Sequence, residues 1–160
     1  MAIQYRAATR ADLNALLPLV EAFAREQQNQ LGLYSLAEGF MQFAKTGLAQ
    51  ALEHPAAVVM IAEDEGRGEG PVGYCVGSLQ EPPALFRPEL YTYISDLYVL
   101  PEYRRRGIGT GLVERVRGWG YLKGAFSVSM IVPTGSAAVG LGERVGMRPI
   151  QVLMYASGQR

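Results

Sequence analysis

Two glycines, Gly107 and Gly109, stand between a run that reads as a strand and a run that reads as a helix. No other feature restricts the fold of this chain as much. The strand candidate, Tyr93–Val99, is stopped by Pro101, which has no N–H to give a ladder. The helix candidate opens near Thr110 and repeats Leu112, Val113, Val116 and Trp119 at helical spacing. A helix start offers unpaired backbone N–H groups and the positive end of a dipole, and glycines there let an anion approach the backbone. Arg104, Arg105 and Arg106 add formal positive charge. The combination suits a pyrophosphate better than a single carboxylate. It is not a P-loop, because no lysine follows the glycines. Nor is it a dinucleotide fingerprint, because Leu112 stands where the third glycine belongs and the unit lies past mid-chain.

The flanking chain reads as alternating short elements. Ile3–Arg6 is a short strand, and Thr9-Arg-Ala-Asp12 is a capping-box variant ahead of Leu13, Leu16, Leu17, Val20 and Phe23 on one helical face. Pro18 should kink that helix. Ser35-Leu-Ala-Glu38 reads as a second capping box, opening a helix that carries Phe40, Phe43 and Leu52 and ends before Pro55. Ala57–Ala62 and Pro71–Leu79 are strands joined by a glycine-rich turn, and the proline-rich stretch 81–89 is a loop. After the glycine loop come a helix to about Leu122, weakened by Gly118 and Gly120, and an alternating strand, Phe126–Val132. A short helix, Ser136–Val145, and a last strand, Ile150–Tyr155, complete the reading. The order β-α-α-β-β-β-α-β-α-β predicts a mixed α/β layered fold with hairpins and one crossover, in a single domain over residues 1–160.

Composition narrows the function. The chain has 160 residues and no net charge, which argues against broad nucleic-acid or acidic-membrane binding. Its longest apolar stretch, Ala56–Ala62, is far short of a membrane span, and charge near Tyr5–Asp12 is unlike a secretion signal. A cytoplasmic protein with no membrane partner is expected. Cys75 is the only cysteine and His54 the only histidine, so no disulfide, cysteine cluster, multi-histidine metal site or histidine-based triad is expected.

The run Arg104-x-x-Gly107-x-Gly109 resembles the coenzyme-A motif of the GNAT N-acetyltransferase superfamily, Arg/Gln-x-x-Gly-x-Gly/Ala. Asp96-Leu-Tyr-Val-Leu-Pro-Glu-Tyr103 resembles that family's strand and turn, and Gly146-Met147 resembles its Gly-Phe after the last helix. The element order is the same. The resemblance implies a GNAT-like fold, with a central mixed, mostly antiparallel twisted sheet flanked by helices. It further implies transfer of an acetyl group from acetyl-CoA to a primary amine of a small molecule or protein. The backbone of Leu97, Tyr98 and Val99 would pair with the pantetheine arm, and the loop Arg104, Arg105, Arg106, Gly107, Ile108, Gly109 and Thr110 would hold the pyrophosphate.

A primary alkylamine, with a pKa near ~10, is protonated at neutral pH, so attack needs a proton acceptor. Asp96 is the best-placed carboxylate. Gly142 and Gly135 stand where the family commonly has a tyrosine acid and an asparagine, which leaves Tyr98 and Tyr155 as the candidate acids. A thiol pKa near ~8.5 makes the thiolate a tolerable leaving group without one. The competing expectations are a non-catalytic acyl-CoA-binding or regulatory protein and an interaction domain that binds no coenzyme. A homodimer stays open.

Overall fold

The structure is a computed structural model and describes residues 1–156. Its elements are β1 (Ile3–Ala7), α1 (Leu13–Leu31), α2 (Phe40–Glu53), β2 (Ala57–Asp64), β3 (Pro71–Gln80), β4 (Tyr91–Val99), α3 (Ile108–Leu122), β5 (Ser127–Met130) and α4 (Ala137–Arg144). Single 3-10 turns precede α1 and follow β4. The strands form one sheet in the order β1-β2-β3-β4-β5. Its first three pairings are antiparallel. The fourth, β4 with β5, is parallel, with α3 as the crossover. This is the mixed α/β fold expected from the element order.

Helices cover both faces, so the central strands are apolar on both sides. Val59, Ile61 and Tyr74 pack with Leu13, Leu16 and Val20 of α1 on one face. Val58, Ala62 and Cys75 pack with Leu112, Val113 and Val116 of α3 on the other. Helix α3 lies so close to the sheet that a Cβ on Gly120 would collide with Thr92 Oγ1. The glycine that lowers helix propensity is thus the one that lets the layers meet.

Two elements differ in kind from the sequence reading, and others by one or two residues at their ends: β4 starts at Tyr91, α3 starts at Ile108 and β5 covers only Ser127–Met130. The Ser35–Glu38 box does not open α2; Gly39, at φ 71°, caps it instead. Gln28 Oε1 accepts from the Leu36 N–H at 2.6 Å and ties the intervening loop to α1. Pro18 lies inside α1, which continues through it to Leu31. Ile150–Tyr155 forms no strand. Its apolar side chains, Ile150, Val152, Leu153, Met154 and Tyr155, are 59–85% exposed. Alternation gives a segment the capacity to pair, but a ladder needs a partner edge in register, and this run pairs with none among the described residues. Among the described residues, no helix is long and apolar enough to cross a membrane.

Candidate active site

A one-residue irregularity opens the cleft. In the β3–β4 pairing Val76 faces Asp96 and Gly77 faces Ile94, so Ser95 has no partner and forms a bulge. Strands β4 and β5 pair only over Tyr91–Ile94 and Ser127–Met130. Beyond the bulge the strands separate, and a cleft lies between Ser95, Leu97, Tyr98 and Val99 on one side and Met130–Pro133 on the other. The β4 edge facing it carries no strand. An extended ligand could take that place as an extra strand.

The glycine loop closes one end of the cleft. Gly107, at φ 79°, is the N-cap of α3, and the first helical hydrogen bond runs from Gly111 N–H to Gly107 O at 2.9 Å. The N–H groups of residues 105–110 have no acceptor among the described residues. Arg105 is the one non-glycine residue described with positive φ, 63°. Such a backbone gathers N–H groups toward one point, where an anion is held.

Of the three arginines, Arg104 and Arg105 line the cleft, and Arg106 lies outside it. The Arg106 guanidinium sits over the Tyr103 ring, 5.4 Å from its centroid. Arg104 is largely committed within the protein: Nε donates to Val99 O at 2.8 Å and Nη2 meets Glu26 Oε2 at 2.7 Å. Its guanidinium also stacks 5.2 Å from the Tyr98 centroid. Tyr103 anchors the loop by donating to Asp64 Oδ2 at 2.9 Å, which holds that carboxyl below its usual range. Leu97, Tyr98, Val99, Gly107, Ile108, Gly109 and Thr110 all line the cleft.

Asp96 is half-buried and is not one of the lining residues. Its Oδ2 accepts from the Tyr74 hydroxyl at 3.1 Å. Burial pushes its carboxyl above the usual range, and the hydroxyls of Ser95 and Tyr74 oppose that shift. Tyr98 is 7% exposed on the same strand. Tyr155, the other candidate acid, is not on the expected last strand but on an exposed run with no regular secondary structure. Gly142 is buried, and a Cβ there would lie 3.0 Å from Met130 Cε and 3.6 Å from Met147 Cβ. Two methionines thus border the point where a side chain at 142 would begin.

Sequence reasoning did not single out Glu26, Gln27 and Gln30 of α1, which also line the cleft. Their signal was Phe23, three residues before Glu26 on the face turned to the sheet. Nor did it single out Tyr74, whose position on β3 is set by strand register.

The Acetyltransferase (GNAT) family profile matches residues 16–147. This chain belongs to the GNAT acetyltransferase family. Solved structures share its fold. A mutant of the BH1408 protein from Bacillus halodurans is 21% identical, with 99% of this chain and 100% of that one covered, at a TM-score of 0.81. A predicted acetyltransferase with acetyl-CoA from Clostridium acetobutylicum is 15% identical, with 98% and 96% covered, at 0.76. An aminoglycoside acetyltransferase from an uncultured soil metagenomic sample, in complex with sisomicin, is 19% identical, with 99% and 97% covered, at 0.70. No curated protein matches the chain by sequence.

Proposed function

We propose that this protein transfers an acetyl group from acetyl-CoA to a primary amine, carried by a small molecule or a protein. The observation that carries the reading is the cleft itself, in which an uncovered β4 edge leads to a loop of unpartnered N–H groups. That arrangement fits the two parts of acetyl-CoA, an amide-bearing arm and a pyrophosphate. Leu97, Tyr98 and Val99 would hold the arm by backbone hydrogen bonds. The N–H groups from Arg105 to Thr110, with the Arg105 side chain, would hold the pyrophosphate, while Arg104 braces α1 against the end of β4. Acetyl-CoA supplies an acyl group on a sulfur that leaves as thiolate. Asp96 takes the proton that an ammonium must lose before its nitrogen can attack, directly or through a water. A β4 backbone N–H facing the cleft is suited to polarise the carbonyl under attack.

The test is release of free coenzyme A from acetyl-CoA with a panel of primary amines, beside calorimetry of acetyl-CoA alone. Amine-dependent release supports the reading. Tight binding without release under any amine favours a non-catalytic acyl-CoA-binding protein. No binding at all favours an interaction domain.

Restoring a tyrosine at the usual acid position should not help. Gly142→Tyr gains about 0.5 kcal/mol of helix propensity but overpacks against Met130 and Met147, which costs about 1–3 kcal/mol. The expected result is a lower Tm and no gain in turnover, and a faster enzyme would show that an acid had been limiting.

The chain carries both an uncovered strand edge at β5 and an uncovered apolar run at Ile150–Tyr155. Together they support a homodimer in which the run of one copy pairs with β5 of the other. Sedimentation is expected to give twice the monomer mass, and Val152→Pro to give monomer. A wild-type monomer would refute the dimer.

A further inference from the structure

We propose that the Tyr74 hydroxyl positions the Asp96 carboxylate for proton transfer, making Tyr74 a positioning residue of the reaction. The inference rests on the reading of Asp96 as the proton acceptor and asks what holds that acceptor in place.

The bulge at Ser95 decides which face Asp96 occupies. Before it, Thr92 and Ile94 turn toward α3: Thr92 meets Gly120, and Ile94 joins the α3 core. After it, Leu97 and Val99 take that face. The alternation has shifted by one residue, so Asp96 and Tyr98 turn toward α1. An unbroken strand would have kept residue 96 on the face of Ile94, against Val113 and Val116. In the register that results, Tyr74 faces Tyr98 and Val76 faces Asp96, which makes Tyr74 and Asp96 diagonal neighbours across two strands.

Tyr74 is built to hold its hydroxyl still. Its ring is fully buried, and Phe23 of α1 packs edge-on against it with centroids 6.4 Å apart and an interplanar angle of 86°. The hydroxyl ends at Asp96 Oδ2, and the bond leaves Oδ1 for a second partner. The bond restricts where that oxygen can lie, and Ser95 is the other hydroxyl that acts on the carboxyl. A tyrosine with no polar task would bury its hydroxyl at a cost that phenylalanine avoids.

Two hydroxyls oppose the effect of burial on Asp96, Ser95 first and Tyr74 second, so the Tyr74 bond is one of two donors that favour the carboxylate. On its own strand stand Ser95 and Tyr98; on β3 stand Tyr74 and Cys75, whose thiol is itself pushed up by burial and by Asp96. Helix α1 brings Glu26, whose charge is met by Arg104. No lysine or arginine pairs with Asp96 among the described residues. Burial favours the neutral acid, and hydroxyl donors favour the carboxylate. Removing the Tyr74 donor therefore raises the pH at which Asp96 loses its proton.

The experiment compares wild type, Tyr74→Phe and Asp96→Asn by the pH profile of kcat/KM for the best amine, with acetyl-CoA affinity measured alongside. Carbon-13 NMR titration of the Asp96 carboxyl supplies the same information without turnover. Tyr74→Phe keeps the ring and is expected to shift the acidic limb and the carboxyl titration upward by about one pH unit. Turnover should fall about tenfold below the limb and recover above it, with acetyl-CoA affinity unchanged. An unmoved limb and titration in Tyr74→Phe, with the limb gone in Asp96→Asn, would reduce Tyr74 to packing and leave the base in place. A limb that persists in Asp96→Asn would remove the base, and this proposal with it.

Discussion

Gly107→Val is expected to weaken acetyl-CoA binding by about 100-fold or more, the loss of two hydrogen bonds to a charged group, while the protein stays folded. Gly107 caps α3 at φ 79°, a conformation that a β-branched residue resists. Nothing lies within 4 Å of where its Cβ would be, so no clash inside the protein threatens the fold. The cost of the left-handed backbone, about 1–2 kcal/mol, falls on the loop. Relief comes by turning the peptide, and that disperses the N–H groups that converge there. Gly118→Ala is the matched control: the residue is on the same helix, has open space at its Cβ, and is outside the loop. Calorimetry with acetyl-CoA should separate the two variants clearly. Salt should weaken the wild-type interaction only moderately, because backbone donors, which salt screens little, carry much of it and Arg104 is already paired. Equal affinity in wild type and a folded Gly107→Val would remove the loop from the binding site.

The parts of the fold that could be read from sequence are those whose cause is local. Pro101 ends β4 and Gly107 starts α3 because each residue dictates its own backbone, and both effects survive any tertiary context. β2 and β3 were readable for a related reason: each is a continuous apolar run bounded by turn residues, which is how a strand covered on both faces reads. Ser35-Leu-Ala-Glu38 misled because a capping box specifies side chains that can cap, not the backbone that would let them. Gly39 made the turn instead. Ile150–Tyr155 misled in another way. Its pattern is that of a strand, but pairing is a property of two segments, and the sequence of one cannot name the other.

The site was legible as a loop and hardly at all as a set of side chains. Three consecutive arginines look equivalent in sequence, yet only Arg105 faces the cleft without an internal partner among the described residues. Arg104 turns to Glu26, seventy-eight positions away, and Arg106 to Tyr103. The bulge is not legible in the sequence: Thr92 and Ile94 before it and Leu97 and Val99 after it share the α3 face, a shift that shows only in strand register and packing. Tyr74 is hidden for the same reason, because its bond to Asp96 follows from the register between strands.

Asp96→Asn is expected to lower turnover about 100-fold near neutral pH, the lower end for loss of a general base, with coenzyme affinity nearly unchanged. Asparagine keeps the shape and can still accept from Tyr74, so the substitution isolates basicity from packing. The direction of the pH dependence follows from burial, which raises the Asp96 carboxyl above its usual range. A base works only when ionised. Wild-type turnover should therefore be lost as the pH falls through that raised value and be held above it, until titration of the amine itself, near ~10, takes over. Asp96→Asn has no carboxyl to protonate, so its profile should show no acidic limb from this group and should rise only with the unprotonated fraction of the amine. The difference between the two enzymes must then narrow as the pH increases, because a free amine needs no acceptor before attack. Steady-state turnover from about pH 4 to about pH 9 reads both effects. A constant ratio across that range would point to a lost contact rather than a lost base, and equal rates throughout would leave Asp96 as the structural acceptor of the Tyr74 hydroxyl.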